Sequence, residues 1–255
     1  MTNTQKLNGT VALITGASSG IGEATALALA EQGATVTIAA RRKDRIDALA
    51  ARIADAGGTA LAIEADVTAQ DQAQALVEKT VTDLGRLDTL VNNAGVMLLG
   101  PAVGAPLEEW DRMVAVNVQG LLYCAHAALP HLLAAAKDSQ RQVADMVNIS
   151  SVAGRVARSG SGVYNATKWS VGAFSESLRQ EVARRHVRVS LVEPGAVATE
   201  LISHNRPEIQ EAMAGRDDFQ KMEPEDIAEA IAYIVTRPWR MAVNEMLIRP
   251  TEQER

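Results

Sequence analysis

Short runs of aliphatic and β-branched residues recur along the chain, each followed by a longer stretch with apolar positions at helical spacing. "TVALIT" (10–15) reads as a buried strand leading into an Ala/Leu-rich helix from about Gly20 to Gln32. "ATVTIAA" (34–40) is the next strand, and "KDRIDALAARIADAG" a helix stopped by Gly57 and Gly58. "TALAIEAD", "LDTLVNNAG", "ADMVNISS" and "VRVSLVEPG" follow as four further strands with helices between them. "EMLIR" (245–249) closes the series as an edge strand. Such alternation requires parallel strands joined by right-handed crossovers. The expected fold is therefore α/β, a doubly wound parallel sheet of about seven strands with helices on both faces. No linker, repeat or low-complexity stretch divides residues 1–255, which read as one domain.

One segment breaks the pattern. Residues 199–223, "TELISHNRPEIQEAMAGRDDFQKME", are polar, interrupted by Pro207 and Gly215, and follow a strand end. They read either as a solvated connection with a short helix or, preferentially, as a mobile lid over a ligand. A second stretch, "AAAKDSQRQVAD" (134–145), has the look of an insertion.

Composition narrows the function. With 255 residues and 47% hydrophobic content the chain builds one large core, and its net charge of −6 argues against nucleic acid as a partner. The single cysteine, Cys124, excludes an intrachain disulfide and a cysteine-rich metal site. No metal is expected, and Cys124 is expected as a small buried hydrophobe in a reducing compartment. "MTNTQKLNG" carries no apolar signal core, and no 18-residue apolar run is apparent, so a cytoplasmic protein without membrane contact is expected.

The first candidate for chemistry is "TGASSGIG" (15–22), which has two readings. Gly16 to Gly20 fits the G-x-S-x-G elbow of a hydrolase, with Ser18 as nucleophile. Gly16, Gly20 and Gly22 also form a glycine-rich turn that lets backbone close on a phosphate. Its place after the first strand favours the phosphate turn, because elbows lie deeper in the chain with acid and histidine partners behind them. His126, His131 and His186 sit in or near helices, and only His204 lies in a loop after a strand. Gly16 would permit the turn, Gly20 the approach of a pyrophosphate, and Gly22 the packing of helix on strand. Ser18, Ser19 and Ile21 complete this cradle.

"TGASSGIG", "NNAG" (92–95), Asn117 in "VNVQG", "NISSVAG" (148–154), "YNATK" (164–168) and "EPG" (193–195) occur in one order at suitable spacings. Over essentially its whole length the chain resembles the short-chain dehydrogenase/reductase family, a Rossmann-type fold. "NNAGVMLLGP", "AGRVARSGSGVYNATK" and the tail "NEMLIRPTEQ" resemble members of the clavulanate-dehydrogenase-like and serine/3-hydroxy-acid-dehydrogenase-like branches. The ending departs from that of the acyl-carrier-protein reductases.

The resemblance implies a nicotinamide-dependent oxidoreductase with Asn117, Ser151, Tyr164 and Lys168 as catalytic residues. Residues 1–100 would mainly hold the cofactor, and 101–255 the catalytic and substrate side. Tyr164 and Lys168 stand four apart on a helix, so both project from one face. An adjacent ammonium is expected to lower the phenol pKa. In the family role Lys168 also holds the nicotinamide ribose, while Tyr164 gives a proton during reduction and removes it during oxidation. Ser151, at a strand end, would bind the substrate oxygen, with Ser150 as its rival on the opposite face. Asn117 would anchor a proton-relay water.

Where proteins using NAD place a ribose-binding acid, this chain has Ala39-Ala40-Arg41-Arg42. Guanidinium forks match a phosphate, so NADP(H) is expected, with Arg41 the leading contact and Arg42 second. Asp66 and Val67 should border the adenine, and Asn92, with Ala94 and Gly95 of the same turn, the adenosine ribose. Pro194, Gly195, Val197 and Thr199 should hold the carboxamide and diphosphate side. The substrate, a small carbonyl or alcohol, should lie among 96–99, 152–158 and the lid. Arg155, Arg158 and Arg206 either bind a substrate carboxylate or are plain surface arginines.

Carbonyl reduction is the leading function. The alternatives are 3-hydroxy-acid oxidation and a non-catalytic NADP-binding regulatory protein on the same fold. Apolar positions on the outer faces of helices 107–135 and 161–185, with Trp169 and Phe174, suggest burial between subunits. The family pattern makes a homotetramer the expected assembly and a dimer the next.

Overall fold

A computed structural model describes residues 5–214 and 219–254. Seven strands form one sheet, β1 (Val11–Thr15), β2 (Thr35–Ala40), β3 (Thr59–Glu64), β4 (Thr89–Asn92), β5 (Ala144–Ile149), β6 (Val187–Pro194) and β7 (Glu245–Ile248). Their order is β3-β2-β1-β4-β5-β6-β7 and every pairing is parallel. The doubly wound sheet read from the sequence is thus present, with β7 on the edge. The winding direction reverses between β1 and β4, which opens a crevice at their carboxyl ends.

Alternate residues of each strand feed two separate cores. Ile14, Val91 and Val147 face α1 (Gly20–Glu31), α2 (Lys43–Asp55) and α8 (Pro224–Val235), where Leu29, Ile46, Ile53 and Ile231 are buried. Their neighbours Leu13, Leu90 and Met146 face α3 (Gln70–Leu84), α5 (Leu121–Asp138) and α6 (Gly162–Val182). Period-two alternation in strands buried on both sides reads as a continuous apolar run, as the sequence showed.

The predicted helix 107–135 is longer and less regular than expected. α4 (Leu107–Val114) passes through a π-helical turn, Ala115–Gly120, into α5, and α5 absorbs the start of the insertion-like stretch. Leu107–Asp138 meets the length and composition needed to cross a membrane, with mean hydropathy 1.2, contrary to the reading that no such run exists. Its apolarity has a local use: Cys124, Ala125, Ala128 and Leu132 pack on the sheet. Burial there pushes the Cys124 thiol up to about 12, leaving it an unreactive hydrophobe.

The segment after β6 is more ordered than a loose lid. It holds a 3₁₀ turn, Glu200–His204, and α7 (Pro207–Met213), and Met222 returns to bridge Val197. Asn205, 5% exposed, accepts from Leu99 N at 2.7 Å and donates to Met97 O at 2.9 Å. Gly215, expected to break the segment, lies outside the described residues.

A buried ion pair fixes the C-terminal half of the sheet. Arg188 on β6 grips Asp145 on β5 through two bonds of 2.7 and 2.9 Å, and also donates to the carbonyls of Val235 and Met241. Asp145 is 1% exposed, so removing its charge strands a buried guanidinium. Asp145→Ala is expected to lower the unfolding free energy by about 3–5 kcal/mol. Urea denaturation monitored by circular dichroism checks this.

Candidate active site

Two turns meet in the crevice. Thr15 Oγ1 accepts from the backbone N–H groups of Asn93 and Ala94, both at 3.1 Å, and Asn93 Nδ2 donates to Thr15 O at 2.9 Å. Gly16 and Gly20 have φ of +67° and +57°, conformations that favour glycine. A Cβ on Gly16 would lie 2.8 Å from Ala94 Cα. Gly22 sits behind the turn, where a Cβ would strike Gly16 O at 2.5 Å, so it packs helix on strand.

α1 begins in the crevice without a side-chain cap. Its first N–H groups, together with the helix dipole, favour an anion there. Ser18 and Ser19 are turned toward a cation instead: Arg42 donates to Ser18 Oγ at 3.0 and 2.9 Å and to Ser19 Oγ at 2.8 Å. Among the described residues no histidine bonds Ser18, so the hydrolase reading of this serine is set aside.

A cavity of about 1150 Å³ runs from this turn across the carboxyl ends of the strands. It is lined by Gly16, Ser18, Ser19, Gly20 and Ile21, by Arg41 and Arg42, and by Asp66 and Val67. Ala94, Gly95, Ser151, Tyr164, Lys168, Pro194, Gly195, Val197 and Thr199 complete the expected lining. Asn92 does not reach it. Its Nδ2 donates to Asn148 Oδ1 at 2.9 Å inside the sheet, because the last residue of β4 faces its partner on β5. The next residue, Asn93, lines the cavity instead.

Asn117 is buried beside Gly95. Both its amide protons are engaged, with Val96 O at 2.8 Å and Thr167 Oγ1 at 3.1 Å, while Oδ1 accepts from Val96 N. The side chain therefore fixes the backbone beside Gly95 and ties it to α6. It sits in the π-helical turn, a distortion often found at functional sites.

At the inner end of the cavity Tyr164 and Lys168 are both 6% exposed. Lys168 Nζ donates to Ile149 O at 2.9 Å and lies 5.9 Å from the centre of the Tyr164 ring. Both candidate serines line the cavity just beyond the end of β5, with different partners. Ser150 Oγ donates to Lys168 O at 3.0 Å, whereas Ser151, which lines the cavity with Tyr164, donates to Pro194 O at 3.4 Å and accepts from Ala153 N at 3.1 Å. Burial raises the Tyr164 pKa, and only the Ser151 bond opposes it. Burial likewise lowers Lys168 to about 8. Both groups share one dry site, and burial is the largest influence on each. A protonated phenol aimed into the cavity can give its proton to an oxygen placed there.

The three uncertain arginines divide. Arg155 is bonded at 2.7 Å twice to the buried carboxylate of Glu193, and it also bonds Glu245. Arg206 bonds Glu109 and Glu208. Of these three, only Arg158 lines the cavity, and no carboxylate among the described residues pairs with it; Arg112 lines the cavity in the same way. Sequence reasoning missed Arg45 and Glu200, which meet near the turn, and the tail residues 252–254 on the cavity wall. Gln253 Oε1 accepts from Ala196 N at 2.9 Å, a contact only the tertiary fold reveals. The i, i+3 spacing of Arg42 and Arg45 at a helix start was the one available signal.

Residues 10–210 match the family model for short chain dehydrogenases. An uncharacterized oxidoreductase of Staphylococcus saprophyticus is 38% identical over 248 residues, 95% of this chain and 96% of that protein. The closed form of a serine dehydrogenase complexed with NADP+ superposes with TM-score 0.86 and 30% identity, covering 96% of this chain and 97% of that one. A 3-ketoacyl-(acyl-carrier-protein) reductase from Brucella melitensis complexed with NADH gives TM-score 0.82 and 32% identity, covering 95% and 97%. The family binds a nicotinamide cofactor, and the residues present fit one: a glycine cradle that a Cβ would fill, an uncapped helix start, and a cavity long enough to reach Tyr164. By sequence, fold and site, the chain belongs to the short chain dehydrogenase family of oxidoreductases.

Proposed function

We propose that the protein is an NADP(H)-dependent reductase of small aldehydes or ketones. The observation that carries this reading is the convergence of Ser151, Tyr164 and Lys168 at the inner end of the cavity, with a phenol held protonated by burial. Residues up to about 100 supply most of the cofactor side. Ser18, Ser19, Gly20 and Ile21 would hold the diphosphate, Arg41 and Arg42 the 2′-phosphate, and Lys168 the nicotinamide ribose. Asp66, Val67 and Asn93 would border the adenosine, and Pro194 to Thr199 the carboxamide side. The bound nicotinamide supplies the hydride.

The chain's own residues do the rest. Ser151 donates a hydrogen bond to the substrate carbonyl oxygen and orients it toward Tyr164. Tyr164 gives its proton to that oxygen as negative charge develops. Lys168 lies close enough to favour the resulting phenolate electrostatically. Val96, Met97, Leu99, Val152 and Val156 make an apolar wall for the substrate, and the segment from Thr199 acts as its lid. The buried lone thiol suits a cytoplasmic protein. Arg158 supports a second reading, oxidation of a 3-hydroxy acid whose carboxylate it would bind; the serine dehydrogenase likeness points the same way. The intact tyrosine, lysine and serine set argues against a purely regulatory NADP-binding protein.

Exposed apolar residues on α4 and α6, Leu107, Val114 and Trp169, support assembly through these helices into a homotetramer, with a dimer next. Phe174 turns inward and packs on the core.

A panel of aldehydes, ketones and 3-hydroxy acids followed by NADPH absorbance tests the activity. Tyr164→Phe is expected to lower kcat about 10²–10⁴-fold while leaving NADPH binding nearly unchanged. Retained turnover would refute the assigned proton donor.

The Lys168 ammonium exists below its pKa of about 8, so a contribution that needs the charge is lost as pH rises through that value. The profile of kcat/KM for NADPH should therefore show a basic limb near pH 8. Lys168→Arg should move this limb out of range, since guanidinium stays charged. An unmoved limb would assign it to another group.

Light scattering should give a mass near four times 27.1 kDa; a monomer mass would refute assembly through these helices.

A further inference from the structure

The chain supplies its own anion to the arginines at the start of α2. Glu200, the first residue after Thr199 in the 3₁₀ turn, accepts from Arg42 Nη1 at 2.8 Å and from Arg45 Nη1 at 2.7 Å. Arg42 Nε donates to Ser18 and Nη2 to both Ser18 and Ser19. One guanidinium thus ties the glycine turn to the segment that covers the cavity. Thr199 reinforces the contact, since a Cβ on Gly20 would lie 3.0 Å from its Cγ2.

Two arginines in the first turn of a helix oppose its dipole unless an anion sits among them. Asp44 lies in the same first turn, and Glu200 is the anion that bonds both arginines. Its carboxyl is held at about 2 by the bonds from Arg42 and Arg45, so it remains charged at any ordinary pH. Only a competing anion can replace it, and the site is open to one: the side chains of Arg42, Glu200 and Arg45 are 38%, 42% and 43% exposed. A phosphate monoester satisfies guanidinium forks as a carboxylate does and carries more charge. Arg41, 62% exposed and 3.9 Å from Asp66, stands ready beside them.

We propose that Glu200 is a cofactor-specificity determinant: it occupies Arg42 and Arg45 in place of a ribose 2′-phosphate and has to be displaced when that phosphate binds. A nucleotide without the phosphate leaves the Glu200 pairs intact. Glu200 therefore narrows the preference for the phosphorylated cofactor and couples its adenosine end to the 199–213 segment. The inference rests on the NADP(H) reading above and adds Arg45 to it.

Calorimetric titration with 2′,5′-ADP and with 5′-AMP isolates the 2′-phosphate without any turnover. Glu200→Gln should tighten 2′,5′-ADP about three- to ten-fold, the scale of two exposed ion pairs, and leave 5′-AMP unchanged. The gain should vanish when Arg42→Gln is combined with Glu200→Gln. Arg45→Gln alone should weaken 2′,5′-ADP. Circular dichroism of each variant separates these effects from misfolding.

A Glu200→Gln protein that binds 2′,5′-ADP no better than wild type, or that shifts both nucleotides equally, overturns the proposal while the cofactor reading stands. A wild-type protein that binds the two nucleotides equally overturns the cofactor reading and the proposal with it.

Discussion

The site depends on the stitch between the turns after β1 and β4. Thr15 and Asn93 exchange side-chain and backbone hydrogen bonds across the point where the sheet reverses its winding. A crevice at such a point would otherwise expose unpaired backbone groups on both turns. The stitch satisfies them internally and leaves the outward N–H groups of α1 for a ligand. It also forces Gly16 against Ala94 so closely that no side chain fits, which explains a glycine there physically.

From that stitch the cavity runs between two electrostatic regimes. Its inner end is dry: Tyr164 and Lys168 are buried, and desolvation keeps the phenol protonated and weakens the hold of the lysine on its proton. Its outer end is wet: Arg41, Arg42, Arg45 and Glu200 are each at least a third exposed and make pairs that water and other anions can contest. A dry end suits the proton transfer proposed here, and a wet end suits exchange of an anionic ligand. The segment 199–213 spans both, with Glu200 on the arginines and Asn205 locked to residues 97–99.

Much of this was legible in the sequence. Local runs of apolar residues set the strands and helices, and the glycines of 16–22 announced a turn that only glycine can make. The Tyr164–Lys168 spacing placed both groups on one helical face. These features depend on residues a few positions apart, so periodicity and backbone sterics suffice to read them.

What escaped the sequence were contacts between distant segments. That Asn93 rather than Asn92 faces the cavity was settled by strand register, with Asn148 claiming the neighbour. Arg155 proved to be held by Glu193 and Glu245, and Glu200 came to rest on Arg42 across 158 residues of chain. The balance of charge on Tyr164 and Lys168 followed from burial rather than from their spacing. Sequence alone determined the elements and the sheet, because those follow from short-range pattern, while the candidate catalytic residues came from the family resemblance of its motifs. The tertiary structure decided which charges are paired and which are dry, because solvation and ion pairing are set by what the fold brings alongside.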